Sequence, residues 1–245
     1  MDYDALLVTN GLSSLIISIV SIITGLKIAS KYLQHKERVL IFAGITWLLM
    51  YEGWWGPSIS FILLLLTGHG LAIELFYVIS ISLTPIAITL WMVAFTELKY
   101  KKFQKLVIWI FLIQALLFEF FSFYYLITEP QVIVERVGLI DAQYKSFLVL
   151  FFLEVAIILT ITGILFARES LKINTPEIRL KGIFLLLGFV SFILGSVLDV
   201  FLELNIISLL IYRGILVFSS FSFYLGFFLP KSFKKILLKN YKFEK

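Results

Sequence analysis

The sequence predicts an all-α integral membrane protein: a seven-transmembrane helix bundle with its N-terminus outside and its C-terminus in the cytoplasm. Three observations predict this fold: the composition, the number of long apolar runs, and the placement of the basic residues. The 245 residues are 60% hydrophobic and 15% charged, and the mean hydropathy is +1.01. A soluble domain carries about 25% charged residues, so this composition indicates a chain embedded in lipid.

Seven apolar segments each approach the ~20 residues that a helix needs to cross a bilayer core. Asp2 and Asp4 precede the first segment. A signal peptide begins with basic residues, so we interpret the first segment as a true membrane helix. Residues 1–230 are the predicted transmembrane domain, and the predicted spans are residues 6–27, 39–57, 71–97, 103–127, 146–167, 182–202 and 207–229.

The basic residues alternate between the two predicted faces of the membrane. All but three of the 21 Lys and Arg residues lie in the connections after spans 1, 3 and 5 or in the tail. The exceptions are Arg136, Lys145 and Arg213. Basic loops favour the cytoplasm, so this pattern predicts an outside N-terminus, a cytoplasmic C-terminus and a multi-pass protein of the plasma membrane.

Two outer stretches are predicted not to span. Residues 58–67 are apolar but too short, and an extra crossing there would move the cluster Lys99–Lys105 to the outside. We therefore predict that they extend span 2 beyond a kink at Pro57 or form an interfacial or re-entrant piece. Residues 128–145 are the longest connection, and residues 132–140 within it are predicted to form a short hairpin or an interfacial helix.

The tail, residues 231–245, is predicted to form a short basic amphipathic helix on the anionic inner leaflet. Apolar residues recur at helical spacing with lysines between them, which is typical of helices that lie on a lipid surface. The lysines predicted to contact lipid are Lys234, Lys235 and Lys239.

Arg213 is the only basic residue well inside an apolar segment. A charge near the bilayer centre costs roughly 2.5–3.5 kcal/mol on insertion scales, so such a residue normally faces protein and finds partners. Depths counted at ~1.5 Å per helical residue place six ionisable groups in the outer half of the bundle. They form a predicted network of Arg213, Asp199, Glu154, Glu119, Glu74 and Glu52.

Three roles for this network stay open at the level of sequence: a structural ion pair, a hydrated pocket for a small ligand, or a proton or ion path. Asp199 is the favoured partner of Arg213, because a short turn joins spans 6 and 7 and brings the two to similar depth. The excess of acids implies that some are protonated or that a cation binds. Polar stripes predict that Ser191, Ser220, Tyr224 and Tyr77 also face the interior.

The residue inventory excludes several activities. The chain has no cysteine and two histidines, so thiol chemistry and zinc sites built from Cys or several His ligands are not predicted. It offers neither the intramembrane Ser–His pair of rhomboid proteases nor the Asp-rich motifs of prenyl transferases. We therefore predict neither an enzyme nor a cofactor, and no nucleic acid partner.

Parts of spans 3 and 7 resemble known seven-helix families. Thr84-Pro85, with Tyr77 one stripe above, is similar to the Thr-Pro region of helix C in microbial rhodopsins. The ending from Tyr224 to Pro230 resembles the helix-7 ends of prokaryotic seven-helix sensor modules. The resemblance implies a sensor, but residues 207–229 contain no lysine, so a covalent retinal is excluded.

These observations favour a receptor-like membrane sensor with an acid-rich pocket open to the outer side. No soluble output domain is recognisable, so it would signal through a separate partner at its basic inner face. The alternative is a proton- or cation-coupled small-solute transporter or channel. The sequence shows neither the inverted repeat nor the pair of broken helices that are typical of many transporters.

Overall fold

Seven long apolar helical spans make up most of the protein, as the sequence predicts. The computed structural model describes residues 4–202 and 205–238. Within these residues, seven helical spans are long and apolar enough to cross a membrane. They are span 1 (Ala5–His35), span 2 (Arg38–Thr67), span 3 (Ile73–Lys99), span 4 (Lys101–Thr128), span 5 (Phe147–Lys172), span 6 (Pro176–Phe201) and span 7 (Ile206–Phe227).

Spans 2 and 3 are each interrupted near a proline. Pro57 and Pro85 lack the N–H that would bond to the carbonyl four residues earlier, so each helix breaks just before its proline. Residues 58–67 continue span 2 beyond its break, which confirms the predicted kink. The sequence analysis found no pair of broken helices, and the interruption of both spans corrects that interpretation. The helices are α1 (Ala5–Ser30), α2 (Tyr32–His35), α3 (Arg38–Met50), α4 (Trp55–Thr67), α5 (Ile73–Ile81), α6 (Thr84–Lys99), α7 (Gln104–Thr128), α8 (Phe147–Lys172), α9 (Pro176–Phe201), α10 (Ile206–Phe227) and α11 (Lys231–Leu237), with 3₁₀ turns at Glu52–Trp54, Lys101–Phe103 and Pro130–Val132.

The spans form an incomplete ring. Neighbours pack in the order 4, 3, 2, 1, 7, 6, 5. Spans 4 and 5 lie further apart and meet only through side chains, such as the Phe118 and Phe151 rings, so the ring is incomplete there. Spans 6 and 7 approach closely at glycines: a Cβ atom on Gly195 would lie 2.8 Å from Leu216, and one on Gly188 would lie 3.0 Å from the Phe223 nitrogen. The missing side chains of these glycines therefore let spans 6 and 7 pack closely.

Contacts between connections define two ends of the bundle. At the lysine-rich end, the Lys99 ammonium lies 2.8 Å from the Glu169 carboxylate, and Lys31 lies over the Phe228 ring at 5.5 Å. The opposite end, here called the hairpin end, carries the connection between spans 4 and 5. The basic loops therefore share one end, as predicted, and the orientation of that end across a membrane stays a prediction.

A β-hairpin covers the hairpin end. Strands β1 (Val134–Val137) and β2 (Asp141–Tyr144) pair antiparallel, and Gly138 supplies the positive φ of 63° in the turn between them. Ile140 in that turn is buried against Phe61 and Leu64 of span 2. Of the two structures predicted for residues 132–140, the hairpin is therefore the correct one.

The tail helix α11 docks on the lysine-rich end. The Phe233 ring lies 5.7 Å from the Phe221 ring, and the Lys234 ammonium bonds to the Glu177 carboxylate. Lys235 is exposed, and contact of this helix with lipid stays a prediction. Lys239 lies outside the described residues.

Candidate functional site: a buried charge network beneath the hairpin

Arg213 lies inside span 7 and is only 4% exposed. Its Nη2 atom lies 3.3 Å from an Asp199 carboxylate oxygen and donates a hydrogen bond of 3.2 Å to the Asn10 side-chain oxygen. The predicted contact with Asp199 is thus present. Spans 6 and 7 are antiparallel neighbours, so residues a few positions from either side of their connection reach the same depth.

A second acid reaches this arginine from outside the spans. The Asn10 amide nitrogen donates a 2.8 Å hydrogen bond to the Asp141 carboxylate on strand β2, and the Ala142 backbone N–H donates to its other oxygen at 2.8 Å. Asn10 therefore bridges Arg213 and Asp141. Burial raises the pKa of the Asp141 carboxyl, and the nearby Arg213 charge offsets that rise only in part.

Aromatic rings enclose the guanidinium. The Trp54 indole N–H donates a 2.7 Å hydrogen bond to Asp199, while the Trp54 and Tyr212 rings each lie 5.7 Å from the guanidinium carbon of Arg213. Aromatic faces attract cations and exclude water, which strengthens the ion pair. Arg213, Asp199, Asn10, Asp141 and Trp54 are called the Arg213 network below.

The network is electrically unbalanced. Two carboxylates, Asp199 and Asp141, share the single charge of Arg213, which leaves an excess negative charge when both acids are ionised. Among the described residues, the Nε and Nη1 atoms of Arg213 have no hydrogen-bond partner. A buried donor without a partner costs roughly 1–3 kcal/mol, so the network holds both an excess charge and unused hydrogen-bonding capacity.

Glu52 belongs to a separate site that joins the two broken spans. It is fully buried. Its carboxylate accepts a 2.6 Å hydrogen bond from the Thr84 hydroxyl and a 3.0 Å bond from the Leu83 N–H. These groups lie at the start of α6, where helix N–H groups lack partners and favour a negative charge. The Glu52 carboxylate therefore caps α6 across the interface with span 2.

The other three predicted acids lie apart from Arg213. Glu119 is half-buried on span 4, and its Oε1 atom has no hydrogen-bond partner among the described residues. Glu74 is exposed in the first turn of α5. Glu154 is exposed and accepts a 2.6 Å hydrogen bond from Gln114. The expected convergence of all six groups was therefore wrong, because equal depth does not place residues on the same helix face.

The four residues of the predicted polar stripes also lie in different surroundings. The buried Ser220 hydroxyl accepts a 3.1 Å hydrogen bond from the Trp47 indole, whereas the Tyr224 ring lies 5.6 Å from the Lys27 ammonium at the lysine-rich end. Ser191 is half-buried on span 6, and Tyr77 is buried in span 3. Among the described residues, no hydrogen bond or ion pair joins these four to the Arg213 network. Sequence reasoning gave no site role to Trp54 or Asp141.

The described residues hold no group of three or more His, Cys, Asp or Glu side chains arranged for a metal ion. Comparison with protein families, with characterised proteins and with solved structures finds no match to this chain. The resemblance of spans 3 and 7 to rhodopsins and prokaryotic sensors therefore stays a prediction.

Proposed function

We propose that this chain is a receptor-like seven-helix membrane sensor in which the β-hairpin is the sensing element. The observation that carries the proposal is the bridge from Asp141 through Asn10 to Arg213. It joins a segment outside the spans to a charge buried within span 7. A stimulus that moves the hairpin would therefore change the pairing of Arg213.

The network provides a physical basis for two states. With the hairpin closed, Arg213 faces two acids through Asn10 and the ion pair; with it open, Asp199 alone balances the arginine. The difference between these states is electrostatic, and any ligand, proton or cation that favours one of them shifts the equilibrium. Span 7 packs on span 6 at Gly188 and Gly195, so a change at Arg213 acts directly on both helices.

The distribution of charge supports a direction for the signal. Basic residues favour the cytoplasm, so we propose that the hairpin end faces outside and the lysine-rich end faces the cytoplasm. The chain would lie in the plasma membrane, and its lysine-rich end would contact a separate signalling partner. The hairpin covers the network, so the ligand would act by opening or stabilising the hairpin rather than by entering an open pocket. Maleimide labelling of single cysteines at positions 138 and 235 in intact cells tests the orientation, and labelling of position 235 from outside would contradict it.

Spin-label distance measurements test the coupling. The distance between labels at positions 105 and 181, both at the lysine-rich end, would be compared in two hairpin variants. Asp141→Lys places a second positive charge beside Arg213 and should open the hairpin. Gln143→Lys is the control, because it adds the same charge at an exposed position two residues further along the strand. We expect a changed distance distribution in Asp141→Lys alone. Identical distributions in both variants would mean that the hairpin sends no signal to that end.

The second candidate is a proton- or cation-coupled transporter or channel. It is favoured by the interrupted spans 2 and 3 and by the Glu52 carboxylate between their breaks, because broken helices and buried acids line ion paths in many transporters. Proton or sodium flux into proteoliposomes separates the two functions. Flux that requires the protein and is lost in Glu52→Gln would support transport, and the sensor proposal expects none.

A further inference from the structure

A lateral groove opens where the ring of helices is incomplete. Between spans 4 and 5 lies a cavity of about 710 Å³, within the range of roughly 300–1,000 Å³ that is typical of small-molecule sites. On span 4 its lining extends from Ile110 to Tyr125, which corresponds to ~22 Å along a helix. Phe118, Phe121 and Leu150 contribute to its apolar wall. The groove is therefore shaped for an elongated, mainly apolar molecule.

Span 4 leaves this groove accessible from the side. Only 11% of its most apolar stretch is buried, compared with 61% in span 3. Span 4 packs mainly on span 3, whereas span 5 packs mainly on span 6. A molecule dissolved in the hydrocarbon of a membrane would thus reach the groove without passing through the hairpin end.

One charged side chain, Glu154, lines the groove. It lies about two turns inside span 5, ~10 Å from the start of that helix. The Gln114 amide donates a 2.6 Å hydrogen bond to its Oε2 atom, and the carboxylate is otherwise exposed. An ionised carboxylate in hydrocarbon is unfavourable unless a positive group or several donors reach it. A polar group of a molecule bound in the groove would therefore lie beside the Glu154 carboxylate and the Gln114 amide.

We propose that this groove binds an amphiphile that combines a long apolar body with a positively charged amine, and that the amine pairs with Glu154. A second copy of this chain fits the groove less well. The only basic residue well inside an apolar segment is Arg213, which is buried in its own network. The lipid-facing surface of another copy thus has no cation to offer at this depth. The site goes beyond the proposed sensing function and does not depend on it.

Photolabelling in nanodiscs of neutral phosphatidylcholine tests the site. The probe is a dodecylamine that carries a diazirine on its chain, and the comparison probes have the same chain ending in a hydroxyl or a carboxylate. We expect the amine to label residues 110–125 and 146–154 at micromolar concentrations, with the other two probes labelling much more weakly. A charge-assisted contact is worth about 1.5–3 kcal/mol, which corresponds to about tenfold or more in affinity.

Three variants identify the groove and its charge. Glu154→Gln keeps the side-chain shape and should lower amine labelling about tenfold. Glu119→Gln is the matched control, because it removes the other acid from the middle of span 4 without touching the groove lining. Leu150→Trp keeps the charge but fills the groove, so it should also block labelling even if Glu154→Gln fails to fold.

Three results would overturn the proposal. Equal labelling by the amine and the alcohol would remove the role of the charge, and unchanged labelling in Leu150→Trp would place the probe elsewhere. A dimer that becomes a monomer in Leu150→Trp, measured by mass photometry, would assign the groove to a second copy of the chain. None of these results bears on the hairpin, so the sensing function would stand or fall separately.

Discussion

Asp199 and Glu154 are both acids within long apolar helices, yet their surroundings differ. The Asp199 side chain is 16% exposed and pairs with Arg213 while accepting a hydrogen bond from Trp54. Glu154 is exposed in the open part of the ring and has the Gln114 amide as its neighbour. The same pattern in the sequence thus leads to a buried, paired charge in one place and an accessible charge in the other.

Ring closure explains this difference. Span 6 lies between two packed neighbours, spans 5 and 7, so the polar face of its hairpin end is covered by span 7 and by Trp54. Span 5 has a packed neighbour on one side, and its other side borders the groove. We therefore assign a mainly electrostatic and structural role to the buried acid and a binding role to the open one.

The largest expected effect is the loss of Arg213. Arg213→Ala leaves Asp199 buried without its counter-charge, which typically costs 3–5 kcal/mol of the free energy of unfolding. Thermal unfolding in detergent should show this loss, and the double variant with Asp199→Ala should lose less than the sum of the single variants. Additive losses would mean that the two side chains do not interact.

Removal of the Glu52 carboxylate should have the next largest effect. Glu52→Ala leaves the Leu83 N–H and the Thr84 hydroxyl without their acceptor at a helix start, which we expect to cost roughly 1.5–3 kcal/mol. Thr84→Val removes only the hydroxyl bond and should cost less. Denaturation in a mixed detergent series measures both, and a Glu52→Ala variant as stable as the unchanged protein would contradict the capping role.

Asp141 should make stability depend on pH. Burial raises the pKa of its carboxyl, so the folded protein holds the proton more tightly than the unfolded chain. The free energy of unfolding should therefore fall as the pH rises above about 4, the pKa of an unfolded aspartate, until folded Asp141 is ionised. Asp141→Asn should flatten this slope, and Glu129→Gln, an exposed change in the same loop, should not.

The smallest expected effect on stability belongs to the open acid. Glu154→Leu removes an exposed carboxylate and one hydrogen bond, so we expect a change within about 0.5 kcal/mol in the same unfolding measurement that detects Arg213→Ala. A loss of several kcal/mol would show that Glu154 is a structural group like Asp199. In that case the contrast between the two acids would disappear.

Local patterns predicted most of the architecture. Apolar length predicted the seven spans, Pro57 predicted the kink in span 2, and chain order predicted the pairing of Asp199 with Arg213. Each of these depends on residues that are close in sequence or on adjacent helices. Pro85 marks the break in span 3, but the sequence analysis did not recognise that spans 2 and 3 are both interrupted.

Sequence patterns did not predict the contacts between segments that are far apart in the chain. Asp141 meets Asn10 across 131 residues of chain, and nothing near Asp141 distinguishes it from a solvated loop acid. The groove arises because spans 4 and 5 meet through a few side chains, such as the Phe118 and Phe151 rings, without close packing of their backbones. The periodicity of either helix does not predict this. The sequence placed Asp199 at the level of Arg213 correctly, but the level of a residue along its helix does not fix which neighbour its side chain faces.

The most direct test of the link between hairpin and network is the reactivity of a cysteine at position 140. The chain has no cysteine, so Ile140→Cys introduces a single thiol at a site that is buried against span 2. Its rate of modification by a water-soluble maleimide reports how often the hairpin opens. We expect Arg213→Gln to raise this rate about tenfold, from the loss of charge-assisted contacts. Glu52→Gln, which perturbs the fold elsewhere, and Glu154→Gln should leave it near its original value. An unchanged rate in Arg213→Gln, or an equal rise in Glu52→Gln, would contradict the coupling of the hairpin to the Arg213 network.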